Sequence, residues 1–405
     1  MAKPKLALIP AAQGTSLYSV LPSSGVGDFD FTRSGSATRI NSQGLIETVA
    51  SGVSRLNYPL IDGVVKGCPS HILEPQRTNL QTYSSDLASV YVPTNITQTS
   101  NYGVSPDGTL TSTRVVLSNL TNSRSVETLT GVLTNGVVYT FSCYYKGIKG
   151  ESTYMYFLSS TGGVSVSKEI IFTGEWQRES ITFTAGSASN YTYIVDVRQG
   201  SSTATDFQVW GGQVEQGSYP TSYIPTTTAA VTRSAETATG SGDAATFNDS
   251  EGVLMFEGSA LANDGTFRIL SLSNGGTSNE IKIQLSSVDN TIGYGVVVGG
   301  FPQIDRFYTT NSTLLNNKIA AKYKENDFSL FVNGFEVIVD TNGSVFSQGT
   351  LNELSFERGN NTSPFYSSTK QLQYYDTALT DSELETLTSW VSFTDMAEGQ
   401  LYTIE

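Results

Sequence analysis

The sequence predicts an all-β protein with a proline-rich N-terminal arm, two antiparallel β-sandwiches and one short C-terminal helix. Three observations support this prediction. Charged residues make up 15% of the chain, against about 25% in an average domain, and Ser, Thr, Asn and 38 Gly residues take their place. Short runs of alternating apolar and polar residues recur along most of the 405 residues. Long runs of Ala, Leu, Glu, Lys and Arg, which helices favour, are almost absent.

Residues 1–80 differ from the rest of the chain because they are rich in proline. Proline disfavours long helices and central strands, so we expect an extended attachment or assembly arm that packs on another subunit or another protein. A partly ordered terminal arm is the alternative. The prolines are Pro4, Pro10, Pro22, Pro59, Pro69 and Pro75.

Residues 81–225 have the pattern of an antiparallel sandwich of the jelly-roll type. In the clearest strand, Tyr139, Phe141 and Cys143 share one face, which we expect to face the core. Clusters of Gly, Asn and Ser at 159–163 and 185–190 indicate turns. The predicted strands are 111–117, 137–145, 153–158, 165–172, 179–184, 191–197 and 207–212.

Residues 226–250 are poor in apolar side chains, which indicates a linker or an exposed crossing strand. Residues 251–405 contain a second series of strands. Its sharpest signal is a three-stranded meander over 318–339, in which Asn333-Gly334 forms the second turn because both residues tolerate a positive φ.

One helix is predicted over 380–390. Thr380 and Glu383 have the spacing of a capping box, in which each residue satisfies a backbone N–H of the other. Leu384, Leu387 and Val391 share the apolar face of this helix.

The charge and the apolar pattern exclude several classes of partner. The net charge is -14, so we expect neither nucleic acid nor an anionic membrane surface as a partner. No apolar run approaches the ~20 residues of a membrane span, so membrane insertion is not expected, and no signal peptide is apparent. Two cysteines, Cys68 and Cys143, do not make a disulfide framework.

The sequence offers little for catalysis, and we expect neither an enzyme nor a bound cofactor. The single histidine, His71, lies in the proline-rich arm. Zinc sites of Cys and His lack enough ligands. Glu383 and Glu385 have the spacing of a paired carboxylate on a strand, but they lie on the predicted helix, where residues i and i+2 diverge.

Sugar binding fits the sequence better, because exposed aromatic rings stack on sugars while neighbouring polar groups bind hydroxyls. If alternation places Tyr191, Tyr193, Val195 and Val197 in the core, Asp196 and Arg198 point outward. Trp176 is expected to be a core anchor. Core or inter-subunit packing is the alternative role for the tyrosines. The candidate glycan-binding residues are Tyr144, Lys146, Tyr154, Tyr156, Asp196 and Arg198.

The first 80 residues resemble a module of tailed-bacteriophage virion proteins of the tail-fibre and head-fibre type. The strings that carry the resemblance are 31–41, 44–47, 55–58 and 73–80. The middle region resembles carbohydrate-binding-module jelly rolls, and the last third resembles concanavalin-like or laminin-G-type sandwiches. Calcium ligands of the laminin-G type cannot be assigned. The motif residues are Phe31, Arg33, Arg39, Asn41, Glu74, Pro75, Arg77 and Asn79.

The resemblance implies a protein of the virion surface, assembled in the host cytoplasm with capsid, portal or tail proteins as partners. The expected domains are 1–80, 81–225, a linker over 226–250, and 251–405. A homo-oligomer, most simply a trimer, is expected from the arm and from the fibre resemblance. Three functions compete: adhesion to host surface polysaccharide, a structural connector or decoration, and a polysaccharide depolymerase.

One tripeptide occurs twice. Thr32-Arg33-Ser34 recurs as Thr232-Arg233-Ser234. Chance explains a short repeat, and the alternative is that both segments lie side by side at one junction.

Overall fold

The computed structural model describes residues 2–9, 17–61, 63–129, 132–160, 164–187 and 189–392. Pro10, parts of the turns predicted at 159–163 and 185–190, and the end of the last predicted domain lie outside these residues. The all-β prediction is confirmed: antiparallel sheets dominate, and the described residues contain a single short α-helix near the C-terminus.

Residues 1–80 form short strands between the prolines rather than one long arm. Two hairpins, β3–β4 and β6–β7, lie within this segment. The strands are β1 (Leu6–Leu8), β2 (Asp30–Thr32), β3 (Ala37–Ile40), β4 (Ile46–Val49), β5 (Arg55–Asn57), β6 (Leu60–Ile61), β7 (Val64–Val65), β8 (Ser70–Ile72) and β9 (Arg77–Asn79).

The first sandwich consists of two five-stranded antiparallel sheets. Its strands are β10 (Val92–Thr94), β11 (Ile96–Thr99), β12 (Thr113–Leu117), β13 (Arg124–Thr128), β14 (Val138–Lys146), β15 (Ser152–Ser159), β16 (Ser165–Ile171), β17 (Gln177–Thr184), β18 (Asn190–Asp196) and β19 (Asp206–Gln216). One sheet has the order β10-β13-β18-β15-β16 and the other the order β11-β12-β19-β14-β17. Tyr139, Phe141, Cys143 and Tyr145 of β14 pack in the core between them, as the alternation predicts.

A β-bulge changes the predicted face of one strand. Ser125 pairs with Val195 and Val126 with Tyr193, so Ile194 is the extra residue of β18. Ile194 and Val195 both lie in the core. The expectation that Tyr193 faces the core is therefore wrong, because the bulge shifts the alternation by one residue.

Residues 226–250 contain two short strands, β20 (Val231–Arg233) and β21 (Thr237–Thr239). We call this stretch the crossing segment. Strand β20 pairs with β9, and β21 pairs with β2. This segment is thus tied to residues 1–80 by two ladders, which matches a crossing strand better than a flexible linker.

The second sandwich follows. Its strands are β22 (Glu251–Ala260), β23 (Arg268–Ser273), β24 (Glu280–Leu285), β25 (Thr291–Val298), β26 (Phe301–Thr309), β27 (Asn317–Lys324), β28 (Phe328–Val332), β29 (Phe335–Asp340), β30 (Glu353–Ser355) and β31 (Ser367–Tyr375). A five-stranded sheet has the order β26-β25-β24-β23-β30. The facing sheet has the order β29-β28-β27-β22-β31-β8-β5, and β1 also pairs with β31.

The N-terminal strands therefore complete the second sandwich of their own chain. Strands β1 and β8 both pair with β31. Leu6, Leu8 and Phe29 are buried in the core of that sandwich. The sequence predicts packing of residues 1–80 on another subunit, whereas these strands pair within their own chain. The prolines leave room only for strands of two to four residues, and these find partners within the chain.

The meander and the helix form where the sequence places them. Asn333 and Gly334 have φ values of 51° and 88°, as a tight hairpin turn requires. Helix α1 (Asp381–Thr388) begins after Thr380, whose side chain forms the predicted capping box with Glu383. Leu384 is buried, but Val391 lies beyond the helix and is exposed, so its predicted place on the apolar face is wrong. No helix in the described part of the chain combines the length and apolarity that crossing a membrane requires.

Candidate functional site

A buried ionic cluster joins residues 1–80 to the crossing segment. The Arg55 guanidinium donates to Glu236 Oε1 at 2.8 Å and to Glu74 Oε2 at 2.8 Å. Arg33 Nη1 lies 2.7 Å from Glu236 Oε1, and Arg233 Nη1 lies 2.7 Å from Glu74 Oε2. We call Arg33, Arg55, Glu74, Arg233 and Glu236 the ionic cluster.

Each copy of the repeated tripeptide contributes one arginine to this cluster, Arg33 from the first copy and Arg233 from the second. The two copies therefore meet at one junction. This agrees with the hypothesis that both segments lie side by side.

The charges in the cluster stabilise one another. Burial by itself raises the pKa of the Glu74 carboxyl, but the charges of Arg233 and Arg55 more than offset this and hold its pKa below the usual value. Burial by itself lowers the pKa of Arg55, and Glu74 and Glu236 together raise it above its usual value. Glu74 and Arg55 are thus both ionised at neutral pH.

The other motif residues also hold the chain together. Asn79 Nδ2 donates to the carbonyl oxygen of Ile224 at 2.8 Å, and its Oδ1 accepts from the Val214 N–H at 3.0 Å. Arg39 and Asn41 both bind the carboxylate of Glu47, at 2.7 Å and 3.0 Å.

The remaining three motif residues flank the ionic cluster. Arg233 Nη2 donates to the Pro75 carbonyl oxygen at 2.6 Å. The Phe31 ring meets the His71 ring edge-on, with their centroids 6.0 Å apart. The Arg77 guanidinium lies over the Tyr219 ring, 5.4 Å from its centroid.

A cleft of about 540 Å³ opens beside the ionic cluster, where residues 1–80 and both sandwiches meet. We call it the junction cleft. Residues 1–80 contribute Arg39, Asn57 and Tyr58 to its walls, and the second sandwich contributes Ser368. The first sandwich contributes Tyr144, Trp176, Gln177, Arg178 and Tyr223.

Local backbone geometry positions Tyr144 in this cleft. Strands β14 and β19 have a bulge between Ser142 and Tyr144, opposite Gly211. Gly211 has φ of 68°, and a Cβ there would lie 2.9 Å from the Tyr144 ring. Only glycine leaves room for the Tyr144 ring to pack against the backbone at this position. Gly211 therefore allows the Tyr144 ring to lie on the outer face of the sheet.

The aromatic rings of the cleft are fixed by packing and by polar contacts. Tyr144 meets the Trp210 ring edge-on at 5.6 Å, and the Arg178 guanidinium lies 5.4 Å from the Tyr144 ring centroid. Trp176 is half-buried, and its Nε1 donates to the Val104 carbonyl oxygen at 3.0 Å. The predicted role of Trp176 as a core anchor is therefore wrong, because its ring packs on the outer face of the sheet instead of in the core.

The six predicted glycan-binding residues do not come together. Tyr144 and Lys146 belong to the sheet that faces the junction cleft, and Lys146 pairs with Glu175 at 3.2 Å outside the cleft lining. Tyr154, Tyr156, Asp196 and Arg198 belong to, or directly follow, strands of the other sheet.

On that other sheet, the polar pair is engaged internally. Asp196 is fully buried, contrary to its expected outward direction, and it accepts from Arg198 Nε at 2.8 Å. Tyr156 packs against Tyr193 with their ring centroids 5.2 Å apart. Sequence reasoning missed Tyr58, Arg178 and Trp176 as cleft residues, and the only signal was the polar setting of Glu175-Trp176-Gln177-Arg178.

The titratable groups near the cleft are held in fixed charge states. Glu74 lines the cleft, but Arg55 and Arg233 keep it ionised. His71 is buried, and burial with the charges of Arg55 and Arg33 lowers its pKa to about 3. Across the described ranges, no group of three His, Cys, Asp or Glu side chains is placed to hold a metal ion.

No protein-family model and no curated protein matches the chain. Similar solved structures include the CBM40 of the Ruminococcus gnavus IT-sialidase bound to α2,3-sialyllactose, at 19% identity and a TM-score of 0.31, over 35% of this chain and 84% of that one. Domain 4 of a GH43 arabinanase from Geobacillus stearothermophilus, in complex with arabinotriose, has 15% identity and a TM-score of 0.32, over 42% and 82%. A Limulus polyphemus SAP-like pentraxin has 12% identity and a TM-score of 0.27, over 35% and 71%. These TM-scores are too low to bear on the function of this chain.

Proposed function

We propose that this chain is a non-enzymatic surface protein of a tailed-bacteriophage virion that adheres to host surface glycans through the junction cleft. The observation that carries the adhesion proposal is the cleft itself. Four aromatic side chains line it together with amide and guanidinium groups: Tyr58, Tyr144, Trp176 and Tyr223. Apolar rings with a few convergent polar groups are the usual construction of a sugar-sized site.

The virion location rests on the resemblance of residues 31–80 to phage fibre proteins. A binding role without hydrolysis is favoured because the cleft carboxylate, Glu74, is ion-paired on both sides and has a lowered pKa. A general acid needs the opposite shift.

Binding can be tested with full-length protein on an array of bacterial capsule and lipopolysaccharide glycans, each printed before and after periodate oxidation. We expect periodate-sensitive binding, and we expect Trp176→Ala to weaken it by at least about tenfold, as loss of a central aromatic contact does. Phe335→Ala is the matched control, because Phe335 is exposed on β29, at the sheet edge opposite β5.

Tyr154→Ala distinguishes the two faces of the first sandwich. If Tyr154→Ala abolishes binding while Trp176→Ala does not, the site lies on the other sheet. Silence of the whole array would contradict adhesion.

A structural connector or decoration is the second candidate. One observation favours it: the motif residues that carry the fibre resemblance form contacts that hold the chain together. Virions that lack this chain and still adsorb normally to host cells would support this function over adhesion.

A homotrimer is part of the proposal. Residues 1–80 do not require a partner subunit, because β1 and β8 pair with β31 of the same chain. The trimer therefore rests on the fibre resemblance alone. Multi-angle light scattering is expected to give three times the mass of one chain, and the mass of one chain would contradict the trimer in solution.

A further inference from the structure

A second cleft adjoins the junction cleft on the side of the second sandwich. It has a volume of about 470 Å³, and we call it the lysine cleft. Its lining includes Ile61, Lys66, Cys68, Glu257, Lys370 and Gln371.

The two clefts meet at the foot of the β6–β7 hairpin. Asn57, Pro59 and Ser368 line both of them. Successive residues of β6 face opposite sides, so Leu60 lines the junction cleft and Ile61 lines the lysine cleft. The hairpin is thus a partition between two parts of one groove.

The partition also touches the first sandwich. A Cβ on Gly63 would lie 2.8 Å from the Glu175 Cβ, so the hairpin packs closely against the turn before β17. The groove therefore passes the foot of the hairpin, where the shared residues lie.

Unpaired cations line this groove in a chain of net charge -14. Many basic side chains elsewhere have a carboxylate partner, such as Arg358 with Glu280 at 2.7 Å. In the described part of the chain, Lys66 and Lys370 have no ion pair within 4.0 Å, whereas Arg178 donates to the Thr221 carbonyl oxygen at 2.6 Å and to Ser142 Oγ at 3.0 Å. Glu257, the acid of the lysine cleft, already accepts from Asn316 Nδ2 at 2.7 Å and Gln371 Nε2 at 2.5 Å.

We infer that the groove binds one extended anionic glycan, and this inference rests on the proposed function. Sugar rings stack on the aromatic side chains of the junction cleft. The chain then passes Asn57 and Ser368, and a carboxylate or phosphate group of the next sugars lies between Lys66 and Lys370. A charged group on a polymer satisfies these two ammonium groups, which an isolated neutral sugar leaves unpaired.

The charge requirement can be tested with the full chain on the same glycan array, sorted into neutral, uronate-containing and phosphate-containing polysaccharides. We expect Lys66→Gln/Lys370→Gln to weaken binding to anionic polysaccharides by about threefold to thirtyfold at low salt, the range for two exposed ion pairs. Lys3→Gln/Arg124→Gln is the matched control, because it removes the same charge outside the groove.

Chemical treatment of the glycan identifies the anion. If reduction of the glycan carboxyl groups abolishes the difference in binding between wild type and the lysine variant, the anion is a uronate. If dephosphorylation of the glycan abolishes that difference, the anion is a phosphate. The lysine variant could instead bind every polysaccharide that wild type binds, and equally well. That result would overturn the extended anionic glycan and leave adhesion intact. If the wild-type protein binds no polysaccharide on the array, the proposed function itself is contradicted.

Chain length gives an independent readout at Cys68, which is exposed in the lysine cleft, while Cys143 is buried in the core. We expect long fragments of the bound polysaccharide to slow N-ethylmaleimide labelling of Cys68, and mono- and disaccharides of the same glycan to leave the rate unchanged. Cys68→Ser provides the background. Labelling rates that no fragment length changes would overturn the inference.

Discussion

Glu127 is a carboxyl group inside the first sandwich, next to the Tyr91 hydroxyl. Its side chain is 9% exposed, and Oε2 has no hydrogen-bond partner within the described residues. Burial raises the pKa of Glu127 to about 7, although hydrogen bonds from Gln81 and Tyr91 act to lower it. Between the usual carboxyl pKa and pH 7, the folded state therefore binds more protons than the unfolded state.

The free energy of unfolding should thus fall as the pH rises from about 4.5 to 7, by up to about 3 kcal/mol from this group. We expect Glu127→Gln to stabilise the first sandwich at pH 8 and to have little effect at pH 4.5. Urea unfolding at both pH values measures this, with exposed Glu169→Gln as the control. A Glu127→Gln effect that is the same at both pH values would contradict the raised pKa.

Residue-level prediction from sequence worked where alternation is regular and failed where a local irregularity intervenes. Tyr139, Phe141 and Cys143 point into the core as expected. Tyr193 does not, because the bulge at Ile194 lies opposite a partner strand that cannot be identified from β18 alone. Trp176 was misassigned because the ring packs on an outer sheet face that residues 1–80 help to cover.

At the scale of elements, strand β5 links distant segments through one side chain. Arg55 is fully buried and binds Glu74 and Glu236, and it also donates to the Thr38 carbonyl oxygen at 2.8 Å. A buried charge that loses its partner is costly, whereas an exposed pair contributes little. The ionic cluster therefore specifies how the short strands of residues 1–80 meet the crossing segment.

Arg55→Met should lower the free energy of unfolding by about 3–5 kcal/mol, because it removes the buried charge-assisted hydrogen bonds to Glu74 and Glu236. Arg233 and Arg33 still pair with these two carboxylates. Arg114→Met, which removes the solvent-exposed pair with Asp206, is the control and should leave the unfolding midpoint near that of the wild type. Chemical denaturation measures both variants. Equal midpoints for the two variants would show that the cluster does not hold the junction.

Elements with strong local signals were predictable, and elements that depend on distant partners were not. The Asn333-Gly334 turn and the Thr380 capping box follow from backbone chemistry within a few residues. The strands of residues 1–80 are two to four residues long and depend on distant partners, so no local pattern shows them. Leu6 of β1, for example, pairs with Tyr374 of β31.

For the whole molecule, the described structure is two sandwiches joined by the N-terminal and crossing segments rather than separable modules in series. The second sandwich includes β1, β5 and β8 in its larger sheet. The junction cleft takes its lining from residues 1–80 and from both sandwiches. Composition predicted the fold class, but the cleft could not be predicted because its residues are brought together only by the long-range pairing. Binding experiments therefore need the full chain.

The most direct test of glycan binding in the junction cleft is the fluorescence of Trp176 in full-length protein. A polysaccharide that binds on the array should change tryptophan emission on titration, because sugar stacking alters the surroundings of a half-buried indole. Trp176→Phe should abolish this change while retaining part of the binding. A change that persists in Trp176→Phe, or binding without any change in wild type, would place the glycan elsewhere and contradict the account.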